Sequence, residues 1–155
     1  MRSKLTSIAT LFLLQAGLLA AGKKVPGDNP LSFCSENLED IIQIDELTLI
    51  PNPPVRGKSL AVKAEGRVTQ TIDEGASVHI VAWKGSDPVF DETFDLCDDL
   101  DMIGEECPVE AGPLSMDEEI PLEEEDLPAG TFAVHINATT AHGQQITCLT
   151  GEFTI

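Results

Sequence analysis

The sequence predicts an all-β, immunoglobulin-like two-sheet sandwich of about seven strands, and three observations carry that reading. Beyond residue 22 no segment sustains a helical period, while several stretches of strand length alternate apolar with polar residues or run β-branched. Clusters of Pro, Gly, Asn and Asp separate those stretches at short intervals and supply turns. Four cysteines, an even number, follow an apolar leader, the pattern of a disulfide framework built for an oxidising compartment.

The leader has the parts of a secretory signal. Arg2 and Lys4 make it positive at the start, and Ile8 to Ala21 is an apolar run too short to span a bilayer comfortably. Ala20, Ala21 and Gly22 are small enough for a cleavage point. The expected organisation is a cleaved signal at 1–22 and one domain at 23–155, which is 155 minus 22, or 133 residues. A chain of that size holds one core and profits from disulfides. It is expected to be soluble, monomeric and in the secretory pathway, in a vacuole-like lumen or outside the cell.

Ile42 to Ile50 is the first strand, and its apolar set changes phase between Ile44 and Leu47, which predicts a bulge at Asp45–Glu46. Pro51-Asn52-Pro53-Pro54 stops it. Ser59 to Thr69 places Leu60, Val62, Ala64, Gly66 and Val68 on one face, with Lys63, Glu65 and Arg67 on the other. Ala76 to Lys84 is the third strand, and Lys84-Gly85-Ser86-Asp87-Pro88 turns into Val89 to Leu96, whose pattern is weaker. Cys97 to Pro113 reads as irregular with room for a helical turn, and Leu114 to Leu122 as an acidic strand. Thr131 to Thr140 aligns Phe132, Val134, Ile136 and Ala138, and Gln145 to Ile155 closes the set.

Charge is uneven. The formal net charge is -18, and loss of Arg2 and Lys4 with the signal makes it -20. From Asp87 to Asp126 there are 17 acidic residues and no Lys or Arg. Between Pro51 and Ser86, by contrast, Arg56, Lys58, Lys63, Arg67 and Lys84 outnumber Glu65, Asp73 and Glu74. Nucleic acid is excluded as a partner, because binding it needs a basic footprint. Asp95, Asp98, Asp99, Asp101, Glu105 and Glu106 are hard oxygen donors of the kind calcium takes, but they lack the spacing of an EF-hand loop. The block reads as a solvated acidic face, and no metal is expected.

The cysteines show no CxxC spacing. Of the three pairings that four cysteines allow, chain order favours Cys34 with Cys148 and Cys97 with Cys107. The histidines, His79, His135 and His142, form no metal-ligand spacing, and no nucleophile elbow, P-loop or GxGxxG is present. His135 and His142 read as surface residues and His79 as structural. Asn137-Ala138-Thr139 is a glycosylation sequon, and Asn137 lies out of phase with Val134 and Ile136, so it is expected to face solvent and carry a glycan. These readings describe a binding module without enzyme chemistry or cofactor.

Several strings add a resemblance. GDNPLSFC at 27–34, PNPP at 51–54 followed by GKSL at 57–60, EGA at 74–76, DLC at 95–97, Cys107-Pro108, LPAG at 127–130 and ITCL at 146–149 occur in this order. Together they closely resemble the fungal phosphatidylglycerol/phosphatidylinositol transfer proteins of the Niemann–Pick type C lipid-binding family, whose fold is the ML domain. The likeness covers nearly all of 25–155. It implies a sandwich with a lipid cavity between its sheets, the cysteine pairing favoured by chain order, a phospholipid or sterol ligand and transient contact with membrane surfaces. A third disulfide found in animal sterol-binding relatives has no counterpart here, where Pro51 to Pro54 stands instead. By the resemblance, Phe90, Leu122 and Leu127 fall at the cavity mouth. Val62, Ile80, Val134 and Ile136, with Val68, Phe132 and Ile146, are the candidate walls. Lys58, Lys63, Arg67 and Lys84 are the cations that could meet a phosphate, and Lys63 and Arg67, on a basic strand set apart from the acidic face, are the expected head-group contacts. The rival reading is a secreted interaction protein with a filled core.

Overall fold

In the computed structural model, residues 22–36, 39–100, 105–125 and 128–155 are described. They form β1 (Leu31–Phe33), β2 (Ile42–Ile50), β3 (Ser59–Val68), β4 (Ser77–Lys84), β5 (Asp87–Asp95), α1 (Leu96–Leu100), β6 (Gly112–Pro121), β7 (Thr131–Thr139) and β8 (Gln145–Thr154). The seven expected strands are all present within two residues at either end. β1 is an addition: at three residues it is too short to carry a period, and it exists because it pairs with β8, Leu31 against Gly151 and Phe33 against Leu149. The expected signal at 1–22 falls, except for Gly22, outside the described residues. Among the described residues, no helix is long and apolar enough to cross a membrane.

All pairings are antiparallel, in a five-stranded sheet of order β1-β8-β7-β4-β5 and a three-stranded sheet of order β2-β3-β6. The bulge in β2 lies where the apolar phase changes. Ile44 pairs with Gly66 and Glu46 with Glu65, which leaves Asp45 as the extra residue. A side chain at Gly66 would collide with the Gln43 carbonyl beside that bulge, so the position needs glycine.

Inward residues of both sheets form two packed clusters. Leu31, Phe33, Leu47, Leu49 and Leu149 are buried with Val25, and Leu60, Val62, Ala64, Ile136 and Phe153 pack against them. Nearer the starts of β2 and β8, Ile41, Val68, Ile72, Ala76, Ala138 and Ile146 form the second.

The two long sides of the sandwich differ. On one, the segment before β1 is stitched to β2: Leu47 N donates to Pro26 O (2.8 Å), Leu49 N to Asp28 O (3.0 Å) and Asn29 Nδ2 to Leu47 O (2.7 Å). On the other, the edge strands β5 and β6 each have a single strand neighbour, and β5 is exposed along almost its whole length. Disulfides join Cys34 to Cys148 and Cys97 to Cys107. The first fastens the end of β1 to β8, where Cys34 N also donates to Cys148 O (3.0 Å).

The charge separation seen along the chain does not become a separation of faces. Acidic β6 pairs directly with basic β3, so Lys63 lies 3.1 Å from Asp117, and Ser115 Oγ donates to Glu65 (2.7 Å). Asp95 caps α1, its Oδ1 accepting from Cys97 N (2.9 Å) and Asp98 N (3.3 Å). Asp101 lies outside the described residues.

Candidate functional site

An apolar depression of about 270 Å³ opens at the end of the sandwich where β4 turns into β5 and β8 ends. Strand alternation builds it. Phe132 and Val134 are on the inward phase of β7; Ala82 of β4 pairs with Val134, and Phe90 of β5 pairs with Ala82. Phe153 of β8 faces Phe132. Val89, Pro128 and Ile155 complete the lining. Val89 is 50% exposed and Phe90 41%, large values for residues of this kind. Phe94, two inward positions along β5, stacks its ring 6.2 Å from that of Phe90.

The remaining large exposed apolar residues belong to the same end. Ile50 closes β2, Val55 lies in the loop to β3 and Ile120 is near the end of β6; their exposures are 51%, 40% and 47%. Register places Ile50 and Ile120 at the same end of the small sheet but on opposite faces: Ile50 pairs with Ala61 and Ala61 with Glu119 on the outer phase, whereas Ile120 pairs with Leu60 on the inward one.

Of the expected cavity residues, Phe90 and Val134 line the depression, as does Phe132. Val62 and Ile136 instead pack against the first core cluster, and Val68 and Ile146 belong to the second. Ile80 is half-buried and pairs with Ile136 on the inward face, deeper than the depression. Space between the sheets is therefore filled below the mouth. Leu122 is half-buried just past the end of β6, its backbone bonded to Gly57 and Lys58 and its side chain absent from the lining. Leu127 lies outside the described residues. Val89, Phe153 and Ile155 were not anticipated; the alternation Leu149–Gly151–Phe153 was the signal that marked Phe153 as inward.

Of the expected head-group cations, Lys63 and Arg67 are placed elsewhere. Lys63 and Arg67 alternate with Val62, Ala64 and Val68 and so project from the outer face of the small sheet, where Lys63 meets Asp117 and Arg67 Nε donates to Gln43 Oε1 (2.8 Å). Lys84 is the cation at the depression, with Nζ 5.8 Å from the centroid of the Phe132 ring.

Two surface expectations also change. His135 is on the outward phase, yet it is half-buried: Nε2 sits 3.4 Å from Cys148 Sγ and 3.6 Å from Cys34 Sγ, because the disulfide covers it. Those sulfurs are bonded to each other and offer no thiolate to a metal. Asn137 lies between His79 of β4 and Cys148 of β8 in the middle of the large sheet, and its Oδ1 is buried without a hydrogen-bond partner. The sequon therefore sits on a crowded sheet face, not in open solvent. His79 Nε2 meets Asp91 Oδ1 at 2.7 Å on the surface, and His142 is exposed in its turn.

A second depression, about 310 Å³, lies on the stitched side between Lys23, Phe33 and the Asp40–Asp45 segment. Its lining mixes Lys23, Asp40, Gln43 and Asp45 with apolar residues, and buried Asp40 is held by Gln145 Nε2 (2.6 Å), so it suits an apolar ligand less well.

The ML-domain family model matches residues 28–155. The phosphatidylglycerol/phosphatidylinositol transfer protein of Emericella nidulans is 36% identical over 141 residues, 91% of this chain and 83% of its own. Proteins of the same name from Kluyveromyces lactis (38% identical, 86% and 78% covered) and Aspergillus fumigatus (32%, 94% and 92%) also align. Among solved structures, a Niemann-Pick type C2 protein from Japanese carpenter ant has a TM-score of 0.57 at 14% identity, covering 81% of this chain and 98% of the other. Chicken MD-1 complexed with lipid IVa has a TM-score of 0.54 at 14% identity, with 80% and 87% covered. These two likenesses concern the fold. With a family model along most of its length and relatives above 30% identity, the chain belongs to the ML-domain family.

Proposed function

We propose that this protein binds the apolar part of one phospholipid at the depression at the end of its five-stranded sheet and transfers it between membranes. The observation that carries the proposal is the gathering of exposed apolar side chains at a single end of the sandwich, around an apolar concavity. Patches of that kind mark interaction sites. Relatives named as phosphatidylglycerol/phosphatidylinositol transfer proteins support the phospholipid class.

A lipid chain costs about 0.8 kcal/mol per CH₂ in water, so sixteen carbons cost about 13 kcal/mol. A carrier needs no bond chemistry; it needs an apolar slot close to the bilayer in quality that can open. The depression alone, at about 270 Å³, is below the range of about 300–1,000 Å³ usual for small-molecule sites. Loading therefore requires the sheets to part. On the side bounded by β5 and β6 the Cys97–Cys107 disulfide ties the far end of β5 to the segment before β6, so parting is easiest at the opposite end, where the depression lies. The same reading places the mature chain, freed of residues 1–22, in a secretory compartment that maintains its two disulfides.

The test is organic extraction of the secreted, oxidised protein and mass spectrometry of what it holds. About one phospholipid per chain supports the carrier, whereas sterol in that amount moves the ligand to the sterol class. An empty extract together with failure to take up fluorescent lipid leaves a protein that acts through its surface.

A further inference from the structure

Lys84 stands apart from Lys63 and Arg67. It ends β4 on the side of the strand that faces Phe132, and Nζ lies 5.8 Å from that ring. The ammonium donates to Ala129 O at 2.9 Å, which uses one of its three hydrogens. Its stem runs over Gly130, where an added Cβ would come within 2.9 Å of Lys84 Cε. Gly130 has φ +148°, so both the backbone and the packing favour glycine there, and the lysine has a fixed berth. The ion pairs among the described residues are Lys63–Asp117 and His79–Asp91; Lys84 enters neither. In a chain with 27 acidic residues and nine basic ones, a cation held against an apolar mouth without a carboxylate partner has unmet capacity for an anion.

We propose that Lys84 is the specificity-determining residue of the mouth, contacting the anionic phosphodiester of a lipid whose chain occupies the depression. This rests on the lipid-binding reading above and adds a choice among lipids. A phosphodiester brings one negative charge to the rim, where a charge-assisted hydrogen bond forms. A sterol hydroxyl or a diacylglycerol brings no charge, and gains from the ammonium only a weaker hydrogen bond to a neutral oxygen. The apolar lining would accept any of these tails, so discrimination falls to Lys84, the cation set over the Phe132 ring of that lining.

The experiment uses the secreted, disulfide-bonded protein and three fluorescent probes: phosphatidylglycerol, diacylglycerol with the same labelled chain, and a fluorescent sterol. Lys84→Met keeps the stem over Phe132 and removes the charge; Lys84→Arg keeps the charge. Because the group is exposed and partly screened, Lys84→Met is expected to weaken phosphatidylglycerol binding about threefold to tenfold. Diacylglycerol and sterol should stay within about twofold, and Lys84→Arg should restore phosphatidylglycerol binding. The deficit should shrink at about 0.5 M salt. Millimolar inorganic phosphate is expected not to displace the labelled lipid; displacement would mean a free-anion site and overturn the assignment to a lipid. Unchanged phosphatidylglycerol binding in Lys84→Met, or an equal loss for all three probes, overturns the role of Lys84 while leaving lipid binding intact. Failure of the unmodified protein to bind any probe overturns the lipid reading itself and the role of Lys84 with it.

Discussion

Removing the Cys34–Cys148 bridge should cost this protein more than removing Cys97–Cys107, by an amount that follows from the two loop lengths. The bridges close separations of 114 and 10 residues. In the chain-entropy model these are worth about 4.8 and about 2.7 kcal/mol at 25 °C. The long bridge also anchors β1, whose Leu31 and Phe33 are each 5% exposed and complete the first core cluster. A strand of three residues has little ladder of its own, so once released it takes two buried side chains with it. The measurement is urea denaturation of Cys34→Ala/Cys148→Ala against Cys97→Ala/Cys107→Ala, each beside the unmodified protein. With an m-value of about 1.5 kcal/mol per molar, the midpoint should fall about 3 M for the first and about 1.8 M for the second. Against a total stability of about 5–15 kcal/mol, the first variant is near the edge of folding at 37 °C. Equal losses, a larger loss from the short loop, or a loss below about 1 kcal/mol from the long one would show that the bridge does not act by holding β1 and the chain ends together.

Two further substitutions test the site and the core. Val134→Trp fills the depression from its inward wall and should lower lipid uptake at least about tenfold at a stability cost of about 1–3 kcal/mol; fluorescence uptake assays and circular dichroism read the two effects separately. Thr147 Oγ1 is buried without a hydrogen-bond partner, so Thr147→Val, which removes the hydroxyl and keeps the shape, should raise stability by about 1 kcal/mol in urea denaturation.

The strands were legible in the sequence because their inward residues alternate; even the bulge showed, since one extra residue moves the apolar set of β2 to the other phase between Ile44 and Leu47. What failed depended on which strands lie side by side. A basic stretch and an acidic stretch looked like two separate faces, but β3 pairs with β6 some fifty residues later, and the charges interleave. His135 was correctly placed on the outward phase, and its burial comes from Cys34, 101 residues away in the chain. Lys63 and Arg67 illustrate a different failure. Their alternation with Val62 and Ala64 already pointed them outward, and the charge split along the chain drew them to the mouth. Lys84 was recognisable by the same alternation, two residues past Ala82.

The salt dependence of membrane docking separates an apolar contact from an electrostatic one. Burying the five half-exposed apolar residues of the mouth end would contribute about 5 kcal/mol, comparable to a single lipid anchor and so marginal and reversible. Charge at that end opposes docking to an anionic surface. Asp87, Glu119 and Glu123 to Glu125 lie in or next to the elements that form it, against Arg56, Lys58 and Lys84. Screening confines what matters to charges within about 8 Å of the membrane at physiological salt, so most of the chain's negative charge is not felt, but the local excess of carboxylates is. On the proposed reading, cosedimentation with phosphatidylglycerol vesicles should strengthen as salt rises from about 0.05 to 0.5 M and approach that with neutral vesicles. A basic docking patch gives the opposite slope. Binding that weakens with salt would mean that cations outside the mouth draw the protein to the membrane, and that the exposed apolar end is not what touches it.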